Sequence, residues 1–334
     1  MDKVQVLAPA GNLTSLKAAV DNGADEVYVG FSDSTNARNY EGLNFTDEDM
    51  QEGINYAHKK GAKVFVAINT NPQQDHFDEW KGSVDKGLKM GADALIVADI
   101  ALLKYTRDTY PDAEIHLSVQ ASSSNYESVN FFAKKFGVKR VVMPRVITIA
   151  DIAKINDKTD VEIEAFALGG NCINMEGRCA LTSFVTGSSP NTEGACSPSR
   201  FVDFSNDASG TLTISLNDTV LNKIPKDEPA PYPTSCKGRF VMPDGSLSYA
   251  MEDPESLNVL SILPDMIKAG VKCLKIEGRQ RTKTYVAAMT KVLRRAVDSY
   301  YENPEGYEVK QEWLNDVLFA FEGTNQTTGC YIEQ

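Results

Sequence analysis

A short pattern recurs along the chain: a glycine, then alanine or valine, a polar residue, and an apolar run. It stands at 22–30 (NGADEVYVG), 60–69 (KGAKVFVAIN), 90–99 (MGADALIVAD), 136–145 (FGVKRVVMPR) and 269–279 (AGVKCLKIEGR). Glycine enters the left-handed conformation at low cost and so ends helices. The apolar run that follows reads as a buried parallel strand. Each copy therefore marks one helix ending and the next strand beginning.

The segments between these copies alternate with helical period. Thr46 and Asp49 have the spacing of a capping box, and Met50, Ile54 and Ala57 form one face behind them. Thr148 and Asp151 repeat the device ahead of Ile152 and Ile155, and Trp80, Val84 and Leu88 make a third stripe. These stripes are expected to pack on a core. Adding VQVLAP, EIHLSVQ (114–120) and VEIEAFAL (161–168) gives eight strands, centred near 6, 28, 66, 95, 117, 142, 165 and 274. Eight βα units predict an α/β fold of the TIM-type (β/α)8 barrel class, with an open doubly wound sheet as the alternative, because strand count does not prove closure.

The regular spacing breaks once. About a hundred residues separate strands seven and eight, where a connection of roughly 2–6 residues plus a helix is usual. The chain thus divides into 1–168 (βα units one to seven), 169–270 (a long Cys-bearing insertion) and 271–334 (the last strand and C-terminal helices). The insertion holds SSPNTEGACSPSR, TLTISL and PAPYPTSCKGRF. It leaves the barrel at a strand's C-terminal end, the rim where such barrels place their active sites.

Composition narrows the chemistry. The 334 residues are 42% hydrophobic and 24% charged, with a net charge of −12. That balance fits a folded globular protein and offers no general attraction to nucleic acid or anionic membrane. No apolar run reaches the roughly 18 residues of a membrane span. The opening VQVLAPA is too short and lightly apolar for a secretory leader. The expected location is the cytoplasm, where thiols stay reduced and clustered cysteines more often bind metal than form disulfides.

Four of the six cysteines, Cys172, Cys179, Cys196 and Cys236, fall in the insertion, separated by 6, 16 and 39 residues. Four thiolates suit Zn²⁺ or an iron–sulfur cluster. The tight C-x₂₋₄-C knuckle usual for structural zinc is absent, and unrelated buried thiols are the third possibility. Cys273, inside VKCLKIEG, is expected to be a small core residue, and Cys330, in the polar tail TNQTTGCYIE, a bystander.

The strand ends carry Asn69, Asp99, Gln120, Arg145, Glu277 and Arg279, and the loop after strand two carries Asn36 and Arg38. On a closed barrel these converge on the insertion's rim, where the arginines could grip carboxylates and Lys275 add a charge. Each also has a plainer role: Asp99 as a helix cap, Asn69 as a turn former, Arg145 in a structural ion pair. The three histidines, His58, His76 and His116, are scattered, and HExxH, GxSxG and GxGxxG are absent. Zinc hydrolysis and Ser-His-Asp catalysis are therefore poorly supported.

At these residues the chain resembles the collagenase-like peptidase family, peptidase family U thirty-two, and within it the UbiU-like branch of ubiquinone biosynthesis. The resemblance runs along essentially the whole chain, through LAPAGNLTSLKAAVDNGADEVYVG, TNARNYEGLNFT, LSVQASSSN, GGNCINMEGRC, SPNTEGACSPSRFV, YPTSCKGRF and KIEGRQR. It implies that Cys172, Cys179, Cys196 and Cys236 hold a 4Fe–4S cluster. It also implies oxygen-independent hydroxylation of a ubiquinone precursor with a paralogous UbiV-like partner subunit and prephenate as oxygen source. Other members of the family hydroxylate transfer or ribosomal RNA, and the family name records an old protease assignment. NMEGRC and TNAR favour the quinone branch, and the acidic balance argues against stable nucleic acid binding. The rivals are RNA hydroxylation, a non-catalytic zinc-stapled scaffold and, last, a peptidase.

Overall fold

The computed structural model describes residues 3–40, 42–322 and 325–332. Seven strands follow one another in parallel: β1 (Gln5–Pro9), β2 (Glu26–Val29), β3 (Lys63–Ile68), β4 (Ala94–Val97), β5 (Ile115–Leu117), β6 (Arg140–Val142) and β7 (Glu162–Gly170). Much later in the chain, β14 (Val271–Ile276) pairs in parallel with both β1 and β7 and closes the ring. The eight strands form a closed (β/α)8 barrel; the open sheet is excluded by that double pairing.

The helices between them begin where the caps predicted. Thr46 accepts from the Asp49 amide at the start of α2 (Asp47–Lys59), which follows α1 (Leu13–Asp21), and Met50, Ile54 and Ala57 are buried. Trp80 and Val84 of α3 (Phe77–Lys89) are buried, with Leu88 half-buried. Asp99 caps α4 (Ile100–Thr109) by accepting from the Leu102 amide at 2.9 Å, so its role is the plain one. After α5 (Tyr126–Phe136), Thr148 caps α6 (Ile149–Asn156) in the same way.

Alternation sorts the strand residues. Val6, Val27, Val64, Val66, Leu95 and Val97 face the helices, while Leu7, Tyr28, Phe65, Ala67, Ala94, Ile96 and Cys273 form a separate cluster inside the ring. Cys273 is the core residue its strand implied. The interior also holds charge, which the apolar runs did not announce. Arg140 grips Glu26 with two hydrogen bonds (2.5 and 3.0 Å), and Lys275 donates to Glu164 at 2.7 Å. All four are at least 94% buried. Replacing Arg140 with Met leaves Glu26 buried and unpaired, so urea denaturation of that variant should show a loss of about 3–5 kcal/mol.

The segment between β7 and β14 builds its own structure. It contains α7 (Leu181–Thr186), a three-stranded antiparallel sheet of β8 (Val202–Asn206), β9 (Leu212–Leu216) and β10 (Thr219–Ile224), and a hairpin of β11 (Arg239–Val241) and β12 (Leu247–Tyr249). The chain then rejoins the barrel. Strand β13 (Glu255–Asn258) runs antiparallel along the overhanging end of β7 and leads into α8 (Leu263–Lys268). Beyond β14 come α9 (Lys283–Glu302), α10 (Gln311–Val317) and β15 (Asn325–Thr327), which pairs with β13. The polar tail is therefore docked: Tyr331 is buried and donates to the Phe166 carbonyl at 2.9 Å, whereas neighbouring Cys330 is exposed.

Candidate active site at the barrel mouth

The four insertion cysteines come together on the C-terminal rim. Each is half-buried and free. Cys172 lies just past β7, and Cys236 in a short turn at Ser235–Lys237. Cys172, Cys196 and Cys236 line one cavity of about 100 Å³ with Arg38, Arg145 and Glu277. Cys179 is not part of that wall, but Cys196 senses the charge of Cys179, and Cys172 and Cys236 each sense that of Cys196. Cys196 is thus the hub of the set.

Two glycines hold the cysteine loops against the barrel. Gly177, at φ +85°, lies so close to the Gln120 carbonyl that a Cβ would approach it to 2.0 Å. Gly194, at φ +83°, sits on Asn36 and Ala37, whose backbone atoms lie 2.8 and 2.9 Å from a Cβ there. Both positions need the left-handed conformation and the missing side chain. Gly177→Ala must therefore lift the loop that carries Cys172 and Cys179. The expected result is a folded protein whose Cys172 and Cys179 react faster with a thiol reagent than in wild type.

Burial sets the ground state of the thiols. It pushes Cys172 and Cys236 up to about 12, and Cys196 upward as well, while Arg145 beside Cys172 and Arg38 beside Cys196 pull the other way. Such thiols stay protonated until a metal displaces the proton. Among the described residues, no group of three or more His, Cys, Asp or Glu converges tightly enough to hold a metal ion. Three thiols around a cavity of about 100 Å³, with a fourth beside Cys196, fit a polynuclear sulfur-bridged centre better than a zinc clip, which needs its ligands around one ion.

Behind the cysteines is a tight ion-pair network. Glu277 accepts from Arg38 at 3.1 Å and from Arg145, and Arg145 reaches Glu176 at 2.8 Å. Burial alone would raise the Glu277 carboxyl, but Arg145 and Arg38 hold it down to about 2. Arg145 also lies over the Phe166 ring at 4.3 Å. A second cavity, of about 60 Å³, opens inward and is lined by Asn69, Lys275 and Arg279 as well as by Arg38, Arg145 and Glu277.

Five of the eight rim residues singled out from sequence thus meet around these two cavities. Asn69 also accepts from the Ala37 amide and donates to Ser118, fixing the loop that carries Arg38. Asn36 and Gln120 line neither cavity. Asn36 instead donates to the Phe31 carbonyl at 2.6 Å, and Gln120 presents its backbone to Gly177. Arg178 faces solvent. Sequence reasoning missed Tyr40 and Tyr232, whose hydroxyls pair at 3.0 Å in the cysteine cavity. It also missed Glu176, and Glu252, a buried carboxylate near Cys236 with neither oxygen hydrogen-bonded. All but Glu252 stand in quoted motifs: Glu176 in NMEGRC, Tyr40 in TNARNYEGLNFT and Tyr232 in YPTSCKGRF.

A larger, open hollow of about 410 Å³ lies between α3 and residues 192–200. It contains no cysteine, and its His76 and Arg200 are paired with Glu79 and Glu193 at 2.7 and 2.6 Å. His58 pairs with Asp93, and His116 is inside the barrel beside Glu114.

Fold and site together define a (β/α)8-barrel protein in which three insertion cysteines line a cavity over an arginine-rich mouth. The chain belongs to peptidase family U32, whose family model matches residues 11–334. It is 34% identical over 319 residues to tRNA hydroxylation protein P1 of Bacillus subtilis, covering 94% of this chain and 68% of that protein. It is 33% identical to tRNA hydroxylation protein P of Escherichia coli, covering 89% of this chain and 68% of the relative. The 23S rRNA 5-hydroxycytidine C2501 synthase of Escherichia coli is 29% identical over 90% of this chain and 40% of its own length.

Proposed function

We propose that this chain is an oxygen-independent hydroxylation enzyme of family U32 that holds a 4Fe–4S cluster on Cys172, Cys179, Cys196 and Cys236, and that its substrate is tRNA. One observation carries the cofactor reading: three of the four thiols line a single cavity, and the fourth stands electrostatically against the hub thiol Cys196. When bound, such a cluster supplies a redox-active iron centre. The chain's own residues do the rest. Arg38 stands beside Cys196 and Arg145 beside Cys172, where each favours the thiolate, and Glu277 keeps both guanidiniums in place.

The substrate class rests on the relatives, two of which are tRNA hydroxylation proteins matching about nine-tenths of this chain or more. They move RNA, second on sequence alone, ahead of the quinone ring. The net charge of −12 favours the other reading, ubiquinone-precursor hydroxylation with a UbiV-like partner subunit and prephenate as oxygen source. Mass spectrometry of digested tRNA and of quinone extracts from an anaerobically grown deletion strain separates the two. Loss of a hydroxylated tRNA nucleoside, restored by wild type and not by Cys196→Ala, is the expected result. Loss of ubiquinone with intact tRNA supports the second reading, and loss of neither contradicts both.

A further inference from the structure

Cys236 sits in a single 3₁₀ turn, Ser235–Lys237, in the stretch between β10 and β11. One such turn has too few hydrogen bonds of its own to fix a side chain. The place of the thiol is therefore set by what holds the residues around it, and two of those residues end on the same carboxylate. Glu322 accepts from the Lys237 ammonium on Oε2 and from the Tyr232 amide on Oε1, each at 2.6 Å. Lys237 and Glu322 are only 3% and 8% exposed. A charge-assisted bond out of water holds its geometry more tightly than a surface pair does.

Glu322 is itself anchored to the barrel. Its amide donates to Ser256 Oγ at 2.7 Å, and Ser256 of β13 stands in register opposite Gly170 of β7. Gly170 precedes Cys172 by two residues, and its carbonyl accepts from Arg145. A run of contacts thus leads from the strand that delivers Cys172, through Ser256 and Glu322, to the turn that carries Cys236. Both thiols line the same cavity, together with Lys237 and Glu322.

We propose that Glu322 is a positioning residue, acting through Lys237 and Tyr232 to hold the Cys236 thiol at a fixed separation from Cys172. Two ligands of one cluster need such a separation, so the purpose of the clasp rests on the cluster reading. The positioning itself does not.

Alkylation of the metal-free full chain with N-ethylmaleimide, read cysteine by cysteine by mass spectrometry, tests it. Cys273, enclosed in the barrel, reports global opening. Glu322→Gln keeps an acceptor for the Tyr232 amide but leaves Lys237 buried without its anion. Cys236 should then react roughly tenfold faster than in wild type, with Cys172 and Cys273 unchanged. Adding Lys237→Met to that variant removes the stranded charge and should return Cys236 most of the way to the wild-type rate. Ser256→Ala, which removes only the acceptor for the Glu322 amide, should raise the Cys236 rate by a smaller factor. It carries the comparison should Glu322→Gln not fold. An unchanged Cys236 rate in either folded variant would overturn the proposal. So would a parallel rise at Cys273, which would make Glu322 a stabiliser of the whole fold. The labelling needs no cluster, so a wild type that takes up no iron overturns the cluster reading alone.

Discussion

Replacing Cys196 with Ala should strip the protein of nearly all bound iron and sulfide while the barrel stays folded. Cys196 is the thiol whose charge relations reach the other three, and it lines the cavity between Cys172 and Cys236. Removing it opens the centre from the middle. The barrel should survive because its closure depends on β14 pairing with β1 and β7, none of which lies in the insertion. Cys172→Ala and Cys236→Ala should behave alike. Cys330→Ala should not, since Cys330 is exposed and outside the cavity. Iron and sulfide assays on anaerobically prepared variants, with circular dichroism as the folding control, read the difference. Retention of a full complement by Cys196→Ala, or its loss in Cys330→Ala, would show that a different set of ligands is at work.

The second large effect is expected at Glu277, the carboxylate between Arg38 and Arg145. Glu277→Gln leaves the buried Arg145 and the half-buried Arg38 without their shared anion, and urea denaturation near neutral pH should register a loss of about 3–5 kcal/mol. The pH dependence has a defined sign. The folded carboxyl is depressed from 4.5 to about 2, so its contribution is fully present above pH 4.5. It is lost as the pH falls through that interval toward 2. The depression corresponds to about 3 kcal/mol. The gap between wild type and Glu277→Gln should therefore be constant from pH 8 to 5 and shrink by about that amount in acid. A constant gap down to pH 2 would mean that the two arginines do not hold Glu277 ionised.

Much of this was legible in the chain because it is local. The glycine-then-apolar repeats marked five of the eight barrel strands, plain apolar runs marked β1, β5 and β7, and Thr46, Asp99 and Thr148 marked helix starts, because caps and periods are set by neighbours within four residues. That Cys172, Cys179, Cys196 and Cys236 share one insertion was legible too. What was hidden is what only closure brings together. Glu26, Arg140, Glu164 and Lys275 are far apart in sequence and meet inside the ring, where alternation gives position but not partner. Strands β13 and β15 are three or four residues long and exist because β7 overhangs the barrel. Arg145 was weighed as a structural ion pair or a functional group; paired with Glu176 and Glu277 while lining the cysteine cavity, it is placed to be both. Tyr40 and Tyr232 stand in quoted motifs, but nothing in the chain pairs two residues 192 positions apart.

The central claim is that the four insertion cysteines hold an iron–sulfur cluster, and metal analysis of the intact chain tests it most directly. Purified and kept without oxygen, the protein should be brown and contain close to four iron and four acid-labile sulfides per chain, with no more than trace zinc. A colourless protein holding one zinc per chain and no sulfide would contradict the account.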